Sequence, residues 1–155
     1  MKVVYNTSSE TDTDIETRLS ERFDILNVLT KSCINGDSRA LIVSGPPGLG
    51  KSYTIEKCLS DWDADASNHT IVKGYVRATG LYKLFYSHRE ENQVIVFDDS
   101  DSIFFDDVSL NLLKCVCDTT ERRVVSWMAE GAFIDDATGE TVPKTFEFKG
   151  TIIFI

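Results

Sequence analysis

The residues with the clearest chemical potential form one run, which reads Gly45-Pro46-Pro47-Gly48-Leu49-Gly50-Lys51-Ser52. Its glycines permit backbone φ above zero, so that successive N–H groups can surround phosphate oxygens where a helix begins. Lys51 can then reach the β- and γ-phosphates, and the Ser52 hydroxyl can ligate Mg²⁺. The stretch from Gly45 to Tyr53 is therefore predicted to bind the phosphates of a nucleotide.

The segments on either side of this run fit the same interpretation. An apolar stretch, Ala40 to Val43, comes before it, and a helical pattern from Tyr53 to Leu59 follows. A strand before the loop and a helix after it are the context that the phosphate-binding chemistry requires. Without that context, the run would be an ordinary turn rich in Gly and Pro.

A second signature reads Val94-Ile95-Val96-Phe97-Asp98-Asp99. Four apolar residues predict a strand in the middle of a sheet, and Asp98 then falls at its C-terminal edge, where ligands collect in open α/β folds. Asp98 is suited to hold Mg²⁺ through water, and Asp99 to orient an attacking water as a general base. The alternatives are a helix cap or a solvated loop for Asp98, and a position out of reach of the water for Asp99.

The elements that position these residues begin with a polar segment, residues 1–12, which is predicted to be a flexible arm. Residues 13–155 are predicted to form one domain. From Thr13 to about Asn35-Gly36, apolar residues at three- and four-residue spacing predict a helix with one buried face. Its stripe consists of Ile15, Leu19, Phe23, Leu26 and Leu29. This helix either covers the core alone or also grips the adenine of the nucleotide.

The rest of the chain alternates strands with helices, which predicts right-handed βαβ crossovers and a parallel sheet covered on both faces. Buried strands are predicted at Leu41–Ser44, Thr70–Val72, Gln93–Phe97 and Thr151–Ile155, and helices at 53–60, 79–89 and 107–119. Before the last strand, alternating residues from Val124 to Phe148 surround a turn at Ala137–Glu140 and predict a β-hairpin.

Composition narrows the class of protein. A chain of 155 residues suits one domain with a single core. The net charge of −9 disfavours a broadly basic nucleic-acid surface, although a local basic patch is compatible with it. No stretch approaches the ~18 apolar residues of a membrane span, and the N-terminus lacks a signal peptide. We therefore expect no membrane partner and a cytoplasmic location, in the host cytoplasm if the protein is viral.

The cysteines of this sequence do not indicate a functional site. The four cysteines are Cys33, Cys58, Cys115 and Cys117, and they fall on predicted helices. A zinc site would need further Cys or His ligands at a recognisable spacing, which His69 and His88 do not supply. Buried, reduced thiols are the better interpretation.

Taken together, the glycine loop and the Phe97-Asp98-Asp99 motif resemble the Walker A and Walker B motifs of an AAA+ ATPase core. The tract after Asp98 further resembles small phage-encoded members. The resemblance covers Phe23 to Ile155 and implies ATP and Mg²⁺ as cofactors, hydrolysis through Lys51 and Asp99, and a hexameric ring acting as a motor on nucleic acid or protein. The family usually has Glu at the position of Asp99, and the shorter aspartate favours slow hydrolysis.

The same resemblance implies a pore-facing loop at residues 73–77. There Tyr75 and Arg77 would grip single-stranded nucleic acid by stacking and phosphate binding, or Tyr75 alone would grip a polypeptide. Alternatively, Tyr75 continues its strand into the core. The hairpin resembles the insertion that DNA-directed members carry, but it could equally extend or shield the sheet.

Three elements of the AAA+ pattern are expected beyond Ile155: the sensor-1 residue, the arginine finger and the helical lid. The sequence is accordingly expected to be part of a longer ATPase. Arg122 and Arg123 come too early for the finger and are interpreted as surface or intersubunit charges.

Two other functions are compatible with the same sequence. One is a nucleotide-switched binding module with little turnover, which the aspartate at position 99 favours. The other is a small-molecule or nucleotide kinase, which would need an acceptor pocket and arginines that close over the phosphates.

Overall fold

A computed structural model of the chain describes residues 11–135 and 138–155. The predicted arm therefore lies outside the described residues, apart from Thr11 and Asp12, which begin the first helix. Thr11 is the N-cap of that helix: its side chain accepts a hydrogen bond from the Asp14 N–H at 3.3 Å, and its own N–H donates to the Asp14 carboxylate at 3.0 Å. This reciprocal capping box starts the helix one residue earlier than predicted.

The described chain is a mixed α/β structure. Its helices are α1 (Asp12–Ile34), α2 (Lys51–Trp62), α3 (Ala78–Ser87) and α4 (Asp107–Val116), with a short 3₁₀ turn at Asp101–Phe104. Its strands are β1 (Ala40–Ile42), β2 (His69–Lys73), β3 (Val94–Asp98), β4 (Val124–Ser126), β5 (Phe133–Ile134), β6 (Thr141–Val142), β7 (Thr145–Glu147) and β8 (Thr151–Phe154). The elements follow the predicted order, and their ends differ by a few residues.

Four of the strands form one sheet in the order β1-β8-β3-β2, and every neighbouring pair is parallel. The two inner strands, β3 and β8, are buried along their whole length. Strands covered on both faces need apolar residues at successive positions, which explains the unbroken apolar runs in both. The predicted placement of β3 in the middle of the sheet is confirmed.

Apolar clusters cover both faces of the sheet. Val94, Val96 and Ile153 face α1 and α2, where they meet Ile55 and Leu59. The alternate strand residues face α3, α4 and the hairpin, and they are Ile95, Phe97, Ile152 and Phe154. Because successive side chains of a strand point to opposite faces, each inner strand supplies both halves of the core.

The first strand differs from its prediction. It was expected at Leu41–Ser44 as a buried strand, but β1 lies at the edge of the sheet and Ile42 is 74% exposed. The inner position is taken by β8, from the other end of the sequence, which pairs with β1 on one side and β3 on the other. An apolar run predicts a strand but does not show which neighbour will cover it.

The apolar stripe on α1 is buried only in part. Of its five residues Leu26 alone is buried, while Ile15 and Leu29 are 37% and 40% exposed. The buried positions lie in the second half of the helix and are Leu26, Thr30, Cys33 and Ile34. The core therefore reaches only the C-terminal half of α1, a limit that periodicity alone does not reveal.

The predicted hairpin consists of two short antiparallel pairs, β4 with β7 and β5 with β6. Of the predicted turn, residue 137 lies outside the described residues, and Gly139 adopts φ of 72°. The ring of Tyr82 on α3 lies with its centre 5.2 to 5.9 Å from those of Trp127, Phe133 and Phe146. The hairpin is thus packed onto the domain, and its apolar residues form part of the core.

Candidate nucleotide-binding site

The glycine loop joins β1 to α2 and turns through two left-handed residues, Gly48 at φ of 78° and Gly50 at φ of 87°. Gly50 is the N-cap of α2 and offers no side chain to the first N–H groups of the helix. Those N–H groups have no partner within the helix and carry the positive end of its dipole. The local backbone is therefore suited to bind an anion such as a phosphate.

Lys51 begins α2 and folds back over the loop. Its Nζ atom donates to the carbonyl oxygens of Gly45 at 3.0 Å and Pro46 at 2.9 Å. Both bonds involve exposed groups, so the ammonium can exchange them for other oxygen acceptors at little cost. The side chain thus lies where it could reach a phosphate bound by the loop.

Ser52 and Asp98 meet although they are 46 residues apart in sequence. The Ser52 hydroxyl donates to Asp98 Oδ1 at 3.0 Å, at the C-terminal end of β3. A hydroxyl and a carboxylate are oxygen donors of the kind that Mg²⁺ accepts directly or through water. Within residues 11–135 and 138–155, no group of three or more His, Cys, Asp or Glu side chains could hold a metal ion. Mg²⁺ at this position would therefore need nucleotide phosphates and water as further ligands.

Lys73 also contacts Asp98, and no motif in the sequence predicts this pairing. Lys73 ends β2 directly beside Asp98 on β3, and its Nζ atom lies 3.1 Å from Asp98 Oδ2 and 2.7 Å from Glu56 Oε1. Hydrogen bonds to Glu56 and then to Asp98 raise the pKa of the Lys73 ammonium. The sequence does indicate where Glu56 lies: it follows Ser52 by four residues, which places both side chains on one face of α2.

Asp99 has an unusual backbone conformation. Its φ is 52°, in the left-handed region that non-glycine residues seldom adopt, and its N–H donates to the Ile155 carbonyl at 3.4 Å. Aspartate tolerates this region better than most residues. Such conformations concentrate at functional sites, so the observation supports a functional hypothesis for the exposed Asp99 carboxylate.

One cleft of about 700 Å³ lies at the C-terminal edge of the sheet, and it is lined by Lys51, Ser52, Asp98 and Asp99 but not by Lys73 or Glu56. From the predicted phosphate-binding set, it contains Gly45, Pro47, Gly48, Gly50, Lys51, Ser52 and Tyr53, together with Asp98 and Asp99. Pro46 and Leu49 instead line a groove of about 290 Å³ between the loop and α1. Pro46 contributes to the loop through its carbonyl, which accepts from Lys51.

The first helix lies beside the loop, as expected. A cleft of about 840 Å³ lies between α1 and α2, and Tyr53 lines both this cleft and the one above the loop. Phe23 on α1 lies 4.0 Å from the point where a Cβ on Gly50 would stand. A contact between α1 and the adenine of a nucleotide stays a prediction.

The predicted substrate residues occupy the loop after β2. The strand ends at Lys73, and Gly74 turns the chain at φ of 90°. Tyr75 is 75% exposed, so the alternative that it continues the strand into the core is wrong. Tyr75 and Arg77 are both exposed, and neither lines the cleft.

The two arginines ahead of the hairpin differ from one another. Arg122 is exposed and pairs with Glu147 at 3.3 Å, as expected of a surface charge. Arg123 is buried: it donates to the Val116 carbonyl at 2.8 Å, and its guanidinium lies 5.2 Å from the centre of the Phe148 ring. Burial, and then the charge of Arg39, lower the pKa of Arg123. The prediction of a surface charge at Arg123 is therefore wrong.

The cysteines are all free thiols, and none of them lines the 700 Å³ cleft above the glycine loop. Cys33 is buried, and burial raises its pKa to about 11. Cys58, Cys115 and Cys117 are only half-buried, so the prediction of buried thiols is confirmed for Cys33 alone.

Comparison with known proteins identifies a relative in a bacteriophage. The chain is 38% identical over 143 residues to an uncharacterized 36.7 kDa protein in the nrdC-mobD intergenic region of Enterobacteria phage T4. The alignment covers 92% of this chain and 43% of the phage protein, so the chain spans less than half the length of that relative. No known protein family matches the chain. No solved structure matches it either. In the part of the chain that the structure describes, no helix is long and apolar enough to span a membrane.

Proposed function

We propose that the chain is a Mg²⁺-dependent ATP-binding domain of the AAA+ type that hydrolyses ATP. The observation that carries the proposal is the 3.0 Å hydrogen bond between Ser52 and Asp98 beside the glycine loop. Two distant motifs, each with its own phosphate or metal chemistry, meet at the edge of the sheet where ligands bind in α/β folds. The parallel sheet with helices on both faces supports the same assignment.

In this proposal, the backbone binds the phosphates. The N–H groups of the loop and of the first turn of α2 donate to the phosphate oxygens. Lys51 exchanges the carbonyls of Gly45 and Pro46 for oxygens of the β- and γ-phosphates. Ser52 and Asp98 hold Mg²⁺, which when bound neutralises charge on those oxygens.

Asp99 is assigned the role of orienting the attacking water and accepting its proton. Its carboxylate is exposed and lines the same cleft as Lys51 and Asp98. No arginine among the described residues lines that cleft. Because an arginine usually stabilises the transition state of phosphoryl transfer, we propose that another copy supplies it in a hexameric ring.

A second candidate is a nucleotide-switched binding module with little turnover. The absence of an arginine from the described lining of the cleft favours it, since hydrolysis by a single copy would then be slow. The same observation argues against a kinase, which needs arginines that close over the phosphates.

The substrate of the proposed motor is nucleic acid or protein. The exposed pair Tyr75 and Arg77 supports an extended substrate, because an aromatic ring can stack on a base and an arginine can bind its phosphate. The similarity to a T4 protein supports phage origin, and with it action in the host cytoplasm.

Asp99→Asn tests the proposal, with Lys51→Ala as the control. Asparagine tolerates the left-handed backbone at position 99, so the variant removes the carboxylate without new strain. We expect ATP affinity close to that of the unmodified chain and turnover reduced by about 10²- to 10⁴-fold. Lys51→Ala should lose binding and turnover together.

The measurement is ATP binding and hydrolysis over a series of protein concentrations, with and without single-stranded DNA. Turnover per chain that rises with protein concentration supports the ring, and stimulation by DNA supports a nucleic-acid substrate. Tight binding with equally low turnover in Asp99→Asn and the unmodified chain would favour the switch. No ATP binding by the unmodified chain would refute the proposal.

A further inference from the structure

The Lys73 ammonium is shared between two carboxylates. It lies 2.7 Å from Glu56 Oε1 on α2 and 3.1 Å from Asp98 Oδ2 at the end of β3. The other oxygen of Asp98 accepts a hydrogen bond from Ser52 at 3.0 Å. Glu56, Lys73, Asp98 and Ser52 therefore form a continuous chain of contacts that ends in the two side chains assigned to Mg²⁺.

The members of this chain differ in their freedom to move. The side chain of Asp98 is 8% exposed, whereas those of Lys73 and Glu56 are 58% and 37% exposed. Asp98 is held by its strand and by Ser52, while the long Lys73 side chain can swing in solvent at little desolvation cost. Glu56 offers the ammonium a second position within reach.

We propose that Lys73 sets the affinity of this site for Mg²⁺ by competing for Asp98, and that Glu56 holds the ammonium when Mg²⁺ is bound. The inference rests on the proposed function. An ammonium and a divalent ion near one carboxylate repel each other, so binding of Mg²⁺ favours a shift of Lys73 away from Asp98. Glu56 lowers the cost of that shift because it already contacts the same nitrogen.

The proposal predicts opposite effects for the two partners. Lys73→Met removes the competitor and keeps an apolar stem, so half-maximal nucleotide binding should need about two- to fivefold less Mg²⁺, as expected for a partly exposed charge pair. Glu56→Gln removes the second anchor and should raise the Mg²⁺ requirement by a similar factor. Lys73→Arg keeps the charge and should stay close to the unmodified chain.

A double variant separates competition from a direct effect of charge. If Glu56 acts only by holding Lys73, then Glu56→Gln should have no effect once Lys73 is methionine. If the Glu56 carboxylate simply attracts Mg²⁺, the same substitution should raise the Mg²⁺ requirement equally with either residue at position 73. The second result would overturn the role given to Glu56.

The experiment titrates Mg²⁺ into the complete chain with a fluorescent ATP analogue and records binding, with thermal unfolding in the absence of Mg²⁺ as the check on folding. Asp98→Asn is the control and should lose most of the Mg²⁺ dependence. If it does so while Lys73→Met leaves the Mg²⁺ midpoint unchanged or raises it, the competition is refuted and the proposed function stands. If Asp98→Asn changes nothing, or the unmodified chain binds no analogue, the proposed function fails with it.

Discussion

The glycine loop and the hairpin are built in opposite ways. Every residue from Gly45 to Gly50 is exposed, and the loop presents backbone N–H groups and one ammonium. The hairpin instead buries Val125, Val142 and Phe146 against Tyr82 and the rest of the α3 side of the core. On the proposed function, the residues of the loop serve to bind a ligand, whereas those of the hairpin stabilise the fold. Substitutions in the loop should therefore affect binding, and those in the hairpin should affect folding.

The largest effect is expected from a substitution in the hairpin, and it is an effect on the free energy of unfolding. Phe146 is buried, with its ring centre 5.2 Å from that of Tyr82 and 5.4 Å from that of Tyr86. Phe146→Ala should lower the free energy of unfolding by about 3–5 kcal/mol through lost burial and a residual cavity. ATP affinity, measured where the variant is still folded, should not change.

Chemical denaturation together with ATP binding checks this prediction. Phe105→Ala is the matched control, because Phe105 is 88% exposed and its loss should cost no more than about 0.5 kcal/mol. Should Phe146→Ala prevent folding altogether, Phe146→Leu gives a milder version of the same test. A folded Phe146 variant that loses ATP affinity would break the separation between the two regions.

A smaller effect is expected from substitutions at two glycines with similar backbone conformations, one in the loop and one in the hairpin. Gly50 in the loop has φ of 87°, and Gly139 in the hairpin turn has φ of 72°. An added Cβ would stand 4.0 Å from Phe23 at position 50 and would meet nothing within 4 Å at position 139. The steric surroundings therefore permit alanine at both, and the backbone strain costs each variant about 1 kcal/mol.

Gly50→Ala and Gly139→Ala should consequently lose similar amounts of stability but differ in ligand binding. Strain at Gly50 tilts the N–H groups that would bind phosphate, and the loss of one charge-assisted hydrogen bond weakens binding about tenfold or more. Gly139→Ala should bind ATP normally. Equal ATP affinities in the two variants would show that the left-handed loop is not needed for binding.

The smallest effect concerns the far end of α2, where Asp63 accepts a hydrogen bond from the Asn68 N–H at 2.8 Å and contacts His69 Nδ1 at 2.8 Å. Burial alone would raise the pKa of Asp63, but the hydrogen bonds from Asn68 and His69 outweigh it and hold that pKa below its usual value. A depressed pKa in the folded state stabilises the fold fully above the unfolded pKa of about 4 and loses that stabilisation as pH falls further.

Asp63→Asn should therefore flatten the fall in melting temperature below about pH 4. Thermal unfolding at several pH values measures it, with the unmodified chain as reference. ATP binding at neutral pH should be unchanged, because this contact lies at the opposite end of the helix from the loop. A variant with the same acid slope as the unmodified chain would show that the hydrogen bonds to Asp63 do not stabilise the fold.

The loop and β3 could be predicted because their signals are local. Spaced glycines before a lysine predict the loop, and apolar residues before two aspartates predict the strand. Both patterns occupy only a few consecutive positions. The order of helices and strands followed from periodicity for the same reason. The pairing of Ser52 with Asp98 was then a consequence of placing both motifs at one edge of a parallel sheet.

Features that depend on distant neighbours could not be predicted. Ile42 reads as a core residue until β8 is found between β1 and β3. Arg123 reads as a surface charge until Phe148 and the Val116 carbonyl surround it. Lys73 reads as the start of a loop until the register of β2 and β3 places it beside Asp98. Each depends on tertiary neighbours that periodicity and local motifs do not encode.

The left-handed backbone at Asp99 has an evolutionary consequence. At such a position aspartate, asparagine and glycine are the residues that the main chain accepts most readily. Each exchange among them keeps the fold, but only aspartate keeps a carboxylate. On the proposed function, a single substitution that costs the fold almost nothing would convert an ATPase into a domain that binds ATP and holds it. Selection for activity, rather than for stability, would then be what maintains the aspartate.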